Sequence, residues 1–425
     1  MVKFQSPTGM RDLFEEELKY FQKIEKVCQD IADFYNFKRI ETPILEQAAI
    51  FEKGTGQSTD IVQKQMFTLR TKGGDLLALR PDGTPSVVRA YLEHGMESEP
   101  KPVKLWYFGP FFRHERPQMG RFRQFYQIGF EVLGSPSWIT DVQVIQIFNN
   151  ILKNLGLRNL GIEINSIGDS QCRPYYKKVL INYLKGYRNS LCSDCKRRLK
   201  QNPLRVLDCK EEKCQRIIRK GAPQILDHLC KECHSHFKNV LETLEELEIP
   251  YNLNPYLVRG LDYYTRTVFE FFPELEEGRS QNAVAGGGRY DDLVKLLGGK
   301  PTPACGGALG LERLVGLMKK ESKKVSKPSR EKIFLAQVGN LAKRKALKLF
   351  EEFRKEKIKV AESLHKDSLS LQLKTADRMK VRYVLILGQK ESLEGKIIIR
   401  DMKTGSQKTV PTEKIINEMK RKIRK

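Results

Sequence analysis

The stretch that most constrains the fold runs from residue 105 to residue 134. Its sequence, LWYFGPFFRHERPQMGRFRQFYQIGFEVLG, holds two runs of aromatic and apolar residues joined by a loop that contains Pro and Gly. Runs of this kind favour β-strands. A similar run, LLALR, lies at 76–80, and strand-like, Gly-rich segments recur between residues 256 and 310. We therefore predict an antiparallel sheet at the centre of the fold.

The loop of this stretch carries four arginines among aromatic side chains. They are Arg113, Arg116, Arg121 and Arg123. A guanidinium group binds phosphate oxygens through paired hydrogen bonds, and an aromatic ring offers a face on which a base can stack. The pattern therefore favours a nucleotide site. A basic hairpin whose charges face water would explain the same residues, and composition does not separate the two.

Two Gly-rich segments lie further along the chain. GALGLERLVGLM (307–318) places Arg313 in the first turn of a helix, where anions are favoured. AVAGGGRYDDLV (283–294) is a Gly run followed by an arginine. Taken by itself, the segment 307–318 is equally well explained as an ordinary strand-to-helix turn with no ligand. The chain contains no P-loop motif and no dinucleotide-binding fingerprint.

The segment LVRGLDYYTRTVFEF (257–271) brings Arg259 and the pair Tyr263–Tyr264 beside a predicted strand. Adjacent tyrosines on a strand usually divide between core and surface. Taken alone, the segment therefore needs no functional explanation.

The length of the chain limits the number of domains, and its net charge indicates the kind of partner it binds. The 425 residues suggest two or three domains, and 76 Lys+Arg against 52 Asp+Glu leave a net charge of +24. Residues 331–425 hold 25 Lys/Arg and 12 Asp/Glu, so about half of the surplus lies there. A surplus of this size favours a polyanionic partner, commonly nucleic acid, although a solvated charged surface remains an alternative.

The basic, polar segment 321–331 lacks any apolar period and is the best predicted linker. Beyond it, strand-like and helical stretches alternate, which predicts a compact α/β domain. No apolar run approaches the roughly 18 residues of a membrane helix, and the first residues lack the apolar core of a secretory signal. We therefore expect a cytoplasmic protein with no membrane partner.

Taken together and in order, these segments resemble the histidyl-tRNA synthetase family of class II aminoacyl-tRNA synthetases. The segment around Pro43, the strand pair Phe111–Glu131 and the strand–helix ending at Arg313 resemble the three class II motifs, and 257–271 and 285–294 resemble the two histidine-specific signatures. The resemblance implies an α+β catalytic domain with an antiparallel sheet, a mostly helical insertion and a C-terminal α/β anticodon-binding domain. The implied domain ranges are 1–168, 169–250, 251–325 and 331–425.

The resemblance also implies an activity. A member of this family activates L-histidine with ATP and Mg²⁺ to histidyl-adenylate and pyrophosphate, and then transfers histidine to the 3′ end of tRNA(His). Such enzymes need aligned reactants and neutralised charge rather than a protein nucleophile. The Pro43 segment would form a homodimer interface.

By the same resemblance, each predicted site residue receives a role. The catalytic arginines would be Arg113, Arg259 and Arg313. The residues implied for histidine are Asp82, Gly83, Thr84, Arg113, Gln127, Glu131, Arg259, Tyr263 and Tyr264. The residues implied for ATP are Arg113, Glu115, Arg121 and Arg313. Arg116 and Gln118 would contact the tRNA acceptor end. The family often has Glu where this chain has Asp82.

Two other functions compete with the enzyme. A regulatory subunit of ATP phosphoribosyltransferase uses the same fold without charging tRNA, but such subunits usually lose the signature arginine, the motif arginines and the anticodon domain. Arg113, Arg259 and Arg313 are all present here, and a basic C-terminal region follows them. A plain nucleic-acid-binding module would explain the charge but not the ordered motifs.

Six of the nine cysteines lie between residues 192 and 233, which favours metal binding or reduced thiols over disulfides. CSDC (192–195) and CKEC (230–233) are two CxxC pairs, so Cys192, Cys195, Cys230 and Cys233 form a candidate zinc site. Cys209, Cys214, His234 and His236 leave the ligand set open. The segment falls in the family's insertion, where a structural Zn²⁺ would brace the helices. Buried reduced thiols are the alternative.

Overall fold

The computed structural model describes residues 4–57, 59–116, 120–273, 283–321, 323 and 332–424. Contacts divide the chain into two compact units, residues 1–325 and 326–425. The division falls within the predicted linker, most of which lies outside the described residues, as does the predicted site residue Gln118.

The described part of the first unit contains eleven strands and ten helices. The strands are β1 (Lys38–Arg39), β2 (Leu45–Gln47), β3 (Phe67–Arg70), β4 (Leu76–Leu79), β5 (Val103–Phe112), β6 (Gln124–Leu133), β7 (Leu160–Ser166), β8 (Asn252–Leu253), β9 (Thr265–Pro273), β10 (Ala285–Arg289) and β11 (Ala304–Gly310). The helices are α1 (Glu15–Phe34), α2 (Ala48–Thr55), α3 (Thr84–Glu93), α4 (Trp138–Asn154), α5 (Arg173–Lys185), α6 (Ser193–Gln201), α7 (Glu212–Arg219), α8 (Lys231–Glu246), α9 (Leu293–Leu296) and α10 (Leu311–Lys320).

A large sheet forms the centre of this unit, with the strand order β1-β5-β6-β11-β10-β9-β7-β8. The strands from β5 to β7 in this order pair antiparallel, and only the edge strands β1 and β8 pair parallel with their neighbours among the described residues. The predicted antiparallel sheet is therefore confirmed.

Alternation along β6 decides what each face of this sheet carries. Ile128, Phe130 and Val132 belong to a large core that also contains residues of α1, α4, α8 and α10. Gln127 and Glu131 occupy the intervening positions and therefore lie on the opposite face. One strand thus supplies both an apolar face for the core and a polar face for a site.

A small sheet, in the order β2-β4-β3, lies next to α2 and α3 in the chain. The helix α3 was not predicted, since the sequence analysis identifies only the strand-like runs at 76–80 and 105–134 in this region. It begins at Thr84 with Pro85 in its first turn, a position where the missing proline N–H costs no hydrogen bond. The Pro therefore starts a helix here instead of marking a turn.

The segment between β7 and β8 is mostly helical, as predicted. The helices α5, α6 and α7 enclose a core of their own, which includes Tyr176, Leu180 and Cys195. The helix α8 instead contributes Phe237 and Val240 to the large core beside α4. The last helix of the predicted insertion is thus anchored on the body of the sheet.

The second unit is an α/β domain, as predicted. Its described strands are β12 (Ile333–Gln337), β13 (Val360–Glu362), β14 (Tyr383–Leu387), β15 (Lys396–Asp401) and β16 (Gln407–Pro411), in the order β13-β12-β14-β15-β16. Its described helices are α11 (Asn340–Lys355), α12 (Leu369–Arg378), α13 (Gln389–Glu394) and α14 (Ile415–Arg424).

Both faces of this second sheet are covered. Alternate residues of β12 enter two separate cores: Ile333 and Leu335 pack in one that includes residues of α11 and α14, and Phe334 packs in another that includes Ala376 of α12. The unit therefore has the two cores of a three-layer domain. No helix in the described parts of the chain is long and apolar enough to cross a membrane.

Candidate functional site

A cavity of about 1590 Å³ opens in the first unit beside β6, β9, β10 and β11, and residues of the helical segment after β7 form part of its wall. The predicted histidine and ATP residues that line it are Asp82, Thr84, Arg113, Glu115, Arg121, Gln127, Arg259, Tyr264 and Arg313. These residues come from parts of the chain up to 231 positions apart, between Asp82 and Arg313. The structure therefore brings most of the predicted histidine and ATP residues to one place.

The remaining predicted residues lie just behind the wall or away from it. Glu131 and Tyr263 are buried and contact lining residues through hydrogen bonds. Gly83 precedes α3, and a Cβ atom there would lie 2.3 Å from the Tyr107 hydroxyl, so a glycine is required for this ring to fit. Arg116 is exposed and borders a stretch outside the described residues.

Glycines on the central strands allow charged side chains to approach the backbone. A Cβ atom on Gly306 of β11 would lie 1.8 Å from Glu131 Oε2, and one on Gly286 of β10 would lie 2.6 Å from Arg259 Nη1. Both distances are far below van der Waals contact. The Gly-rich runs that the sequence analysis singles out are therefore needed for the carboxylate and the guanidinium to occupy these positions.

Glu131 is the most deeply buried acid of the site, with no exposed surface. Its carboxylate accepts hydrogen bonds from the hydroxyl of Thr84, at 2.6 Å, and from the hydroxyl of Tyr290. Burial raises the pKa of Glu131 to about 8, and the nearby Asp82 charge adds to the rise while the hydroxyl donors oppose it. A ligand that donates an N–H to this carboxylate would relieve the cost of ionising it.

Asp82 is a second buried acid, at the start of α3. The Tyr263 hydroxyl donates to Asp82 Oδ2 at 2.9 Å. Burial raises the pKa of Asp82, while the positive charge of Arg113 and the Tyr263 hydrogen bond act in the opposite direction. Tyr263 therefore positions an acid of the site.

Gln127 presents an acceptor that is available for a ligand. Its Oε1 is buried and accepts no hydrogen bond from the described residues. A buried amide oxygen without a donor costs about 1–3 kcal/mol, so a bound group that donates to it would recover that cost. Together with Asp82 and Thr84, this acceptor suits a charged amine.

Arg259 forms an ion pair with Glu270 of β9. Its side chain is 17% exposed, and its guanidinium lies 5.4 Å from the ring centre of Tyr264. Burial alone would lower the pKa of Arg259, but the Glu270 carboxylate raises it, so the group stays charged. Burial raises the pKa of Glu270, against the opposing effect of Arg259. The sequence analysis did not identify this partner.

The other end of the cavity is cationic. Arg113 donates to the Pro81 carbonyl at 2.8 Å and lies over the ring of Phe125, and Arg313 donates to the Ala283 carbonyl at 2.6 Å. The pKa of Arg313 is lowered to about 10, chiefly by burial and also by the like charges of Arg121 and Arg113, against the effect of Glu115.

Arg113, Arg121 and Arg313 all line the cavity. Arg121 reaches the Glu115 carboxylate at 3.4 Å, the one ion pair described for these three arginines. The cluster thus holds more positive than negative charge within its described neighbours. An arrangement of this kind binds a polyphosphate.

Sequence reasoning missed the residues that hold these groups in place. Besides Glu270 and Tyr290, Arg205 of the helical segment donates to the Gly260 carbonyl at 2.9 Å and pairs with Asp60 at 3.2 Å. It therefore fixes the backbone next to Arg259. The only signal for Glu270 and Tyr290 was their position in the two signature segments.

The cysteines form two groups instead of one. Cys192, Cys195, Cys209 and Cys214 make a four-thiol cluster whose ligand atoms lie within 4.8 Å of one another. A second group, the Asp169 cluster, is equally close-set. It consists of Asp169, Cys172, Cys230 and Cys233.

The predicted zinc set of Cys192, Cys195, Cys230 and Cys233 therefore needs correction. The two CxxC pairs lie in separate groups, because the first starts α6 inside the insertion core, whereas the second starts α8, which is anchored on α4. His236 bonds to Asp141 at 2.8 Å, and neither it nor His234 belongs to a metal-binding group among the described residues.

Comparison with known proteins places this geometry in context. The family profile described as Histidyl-tRNA synthetase matches residues 9–169 and 198–314, and the profile described as Anticodon binding domain matches residues 332–422. A histidine–tRNA ligase of Thermodesulfovibrio yellowstonii is 44% identical over 422 residues, covering 99% of both chains. One of Dehalococcoides mccartyi is 41% identical over 420 residues, covering 99% of this chain and all of the relative.

Solved structures are similar as well. The apo histidyl-tRNA synthetase of S. aureus superposes with a TM-score of 0.79 at 33% identity, covering 98% of this chain and 99% of the other. A Bacillus halodurans protein described as an ATP phosphoribosyltransferase regulatory subunit/histidyl-tRNA synthetase shares the fold, with a TM-score of 0.64 at 22% identity over 91% of this chain and 99% of its own.

Proposed function

The chain belongs to the histidyl-tRNA synthetase family, and we propose that the cavity on its large sheet is where histidine reacts with ATP. The reaction is that of a histidine–tRNA ligase: L-histidine and ATP give histidyl-adenylate and pyrophosphate, and histidine then passes to the 3′ end of tRNA(His). The observation that carries the assignment of the site is the convergence of nine sequence-predicted residues on one cavity.

The buried end would bind histidine. Glu131 and the Tyr264 hydroxyl would contact the two imidazole nitrogens, since one accepts an N–H and the other can donate to the ring's lone pair. Asp82, Thr84 and the unpartnered Gln127 oxygen would hold the α-amine. A site of this kind rejects apolar isosteres, because they would leave its buried polar groups without partners.

The cationic end would bind ATP. Arg113 would contact the α-phosphate, Arg121 and Arg313 the β- and γ-phosphates, and Glu115 the adenine. Mg²⁺, which this family generally requires with ATP, neutralises phosphate charge when bound. The remaining work of the chain's own residues is to align the histidine carboxylate for in-line attack on the α-phosphorus.

Arg259 would stabilise the transition state. In the first step a bond forms between a histidine carboxylate oxygen and the α-phosphorus, the bond to the bridging oxygen breaks, and pyrophosphate leaves with the electron pair. Negative charge is redistributed on the α-phosphate oxygens as this happens. A guanidinium held by Glu270 and by the backbone that Arg205 fixes is already oriented for that charge and needs no reorganisation.

The second unit matches an anticodon-binding domain, and we propose that its surplus of Lys and Arg contacts the tRNA backbone. Arg116, exposed beside the cavity, and Gln118 would contact the acceptor end. The functional division we propose is 1–168, 169–250, 251–325 and 331–425, with the first and third ranges sharing the large sheet.

A homodimer is supported by the surface around Pro43. Four large apolar side chains of this region are 39–44% exposed. They are Ile44, Leu45, Leu69 and Leu76, all in or beside the small sheet. A neighbouring group of exposed apolar residues marks an interaction surface. We propose that a second copy of the chain covers it.

We also propose that the four-thiol cluster binds a structural Zn²⁺. The peptide N–H of Cys195 lies 3.4 Å from Cys192 Sγ, and that of Cys192 lies 3.3 Å from Cys214 Sγ. Such N–H groups stabilise metal-bound thiolates.

Reduced thiols also fit a cytoplasmic location, which we propose for this protein.

Pyrophosphate exchange tests the assignment. Purified protein should incorporate labelled pyrophosphate into ATP only when histidine and Mg²⁺ are present. Exchange distinguishes the enzyme from an ATP phosphoribosyltransferase regulatory subunit and from a nucleic-acid-binding module, neither of which activates an amino acid. An absence of exchange in folded protein would refute the proposal.

Truncation tests the role of the second unit, whose two cores lie wholly within residues 332–424. Removal of residues 331–425 should leave histidine-dependent exchange near its original rate and should sharply raise the KM for tRNA(His). Equal loss of both activities would contradict the modular assignment.

A further inference from the structure

The Asp169 cluster shares no residue with the four-thiol cluster, and neither the reaction nor the proposed zinc site uses it. Its four ligand atoms come from two places: Asp169 and Cys172 lie between β7 and α5, and Cys230 and Cys233 start α8. All four atoms lie within 4.8 Å of one another. We propose that this cluster is a second metal site, which binds Zn²⁺ through three thiolates and one carboxylate.

The backbone around the sulfurs has the geometry of a metal-binding turn. The peptide N–H of Cys230 lies 3.0 Å from Cys172 Sγ, and that of Cys233 lies 3.5 Å from Cys230 Sγ. Cys192 and Cys230 precede their helices with nearly the same backbone angles, φ −68° with ψ 164° and φ −68° with ψ 165°. In both, the sulfur accepts from the peptide N–H three residues later. The two CxxC turns are thus alike, and each has two further ligands beside it.

Asp169 is held as a metal-binding carboxylate needs to be. One of its oxygens accepts the Gln171 peptide N–H at 3.0 Å, and the other faces Arg266 at 3.3 Å. These contacts fix the direction of the carboxylate, as supporting hydrogen bonds do for metal ligands. The Arg266 guanidinium also offsets part of the negative charge that three thiolates and a carboxylate leave around a divalent ion.

The donor set selects the class of metal. Three sulfurs exclude Ca²⁺ and Mg²⁺, which prefer oxygen ligands, and favour a borderline-soft ion in a closed tetrahedral site. With no ligand position left for water or substrate, the ion would have a structural role. Zn²⁺ fits this set, with bond lengths of about 2.3 Å to sulfur and about 2.0 Å to oxygen.

The position of the cluster indicates what the metal would stabilise. It joins the end of β7 to the start of α8, 64 residues apart between Asp169 and Cys233. The same turn pairs with the strand that follows the tyrosines: the Arg266 N–H donates to the Gly168 carbonyl at 2.8 Å, and Arg173 donates to the Tyr264 carbonyl. A metal here would therefore hold the backbone that carries Tyr264, in addition to bracing the insertion.

Metal counting tests the proposal on the full chain without reference to activity. Native mass spectrometry and elemental analysis, after dialysis against a chelator, should find two zinc ions per wild-type chain. Cys172→Ser should retain one, Cys195→Ser should retain one, and the double variant should retain none. Cys28→Ala, a buried cysteine outside both clusters, is the matched control and should keep two.

Zinc-edge X-ray absorption assigns the ions without relying on variant folding. Wild-type protein should show an average of about 3.5 sulfurs and 0.5 oxygen per zinc, the mean of a four-sulfur and a three-sulfur site. One zinc per chain with four sulfurs, lost in Cys195→Ser and kept in Cys172→Ser, would overturn the proposal. One zinc with three sulfurs and one oxygen would support this site and refute the four-thiol one.

Discussion

The two ends of the cavity differ in the sign of their charged groups and in how far the protein compensates them. At the buried end, Glu131 and Asp82 already have hydroxyl partners from the protein, and burial raises the pKa of both. At the other end, Arg113, Arg121 and Arg313 line the cavity, and Arg121–Glu115 is their one ion pair among the described residues. The first end is assembled before any ligand arrives and suits discrimination between small molecules. The second holds uncompensated charge and suits binding of a polyanion, whatever its shape.

Arg259 also lines the cavity, and its removal should have the largest effect. Arg259→Ala should lower the rate of pyrophosphate exchange about 10³-fold, because an oriented cation next to the reacting phosphate would be lost. The substitution also strands Glu270, a buried carboxylate, so Arg259→Met with Glu270→Gln is the cleaner variant. An exchange rate in that double variant close to wild type, with unchanged unfolding, would refute the role of the guanidinium.

Glu131→Gln should weaken histidine binding at the buried end of the cavity and leave ATP binding at the cationic end unchanged. The amide keeps the size of the side chain but loses the charged acceptor, so the KM for histidine should rise about 10²-fold, the size of one charge-assisted hydrogen bond. The KM for ATP should change less than twofold and is the internal control. A parallel rise in both constants would show that the two ends are not independent.

Arg121→Ala should weaken ATP binding at the cationic end and leave histidine binding unchanged, with a smaller effect than Glu131→Gln. The Arg121 side chain is 32% exposed, so we expect a rise of about tenfold in the KM for ATP and little change in that for histidine. The same KM should rise with salt in the wild type and less steeply in the variant. Arg158→Ala, which removes an exposed arginine between α4 and β7, is the matched control.

The last effect concerns stability and pH instead of activity. Because folding raises the pKa of Glu131 from its ordinary 4.5 to about 8, the folded chain keeps a proton between these values that the unfolded chain releases. The free energy of unfolding should therefore fall as the pH rises through this range, by up to about 1.4 kcal/mol per pH unit from this group. Urea unfolding at pH 5.5 and 7.5 should show this slope in the wild type and a flatter one in Glu131→Gln. Equal slopes would mean that Glu131 is ionised in the folded chain.

Some features of this site could be predicted from the sequence, and others could not. The arginines of the loop between β5 and β6 and the Gly runs could be found because each is a local signal, whereas Arg259 was assigned only through the family resemblance. The sheet itself was predicted from the aromatic and apolar runs that form β5 and β6. The helix α3 was missed because Pro85 reads equally well as a turn residue and as a residue of a first helical turn.

Partners that meet only across the sheet could not be found in this way. Glu270 and Arg259 are 11 residues apart, but Tyr290 and Glu131 are 159 apart and meet because β10 and β6 both pair with β11. No periodicity links such positions. Their pairing depends on strand order, which alternation along a single strand does not specify.

The cysteines show most clearly what the sequence alone does not specify. The amino-acid sequence by itself determined that each CxxC segment starts a helix with its first sulfur next to a peptide N–H, because that geometry involves only four consecutive residues. It did not determine which sulfurs face each other, and the two pairs that look like one site belong to different groups. Only the tertiary structure decided this. The packing of Phe237 and Val240 against α4 carries the second pair to the end of β7, and long-range packing of that kind leaves no local trace in the chain.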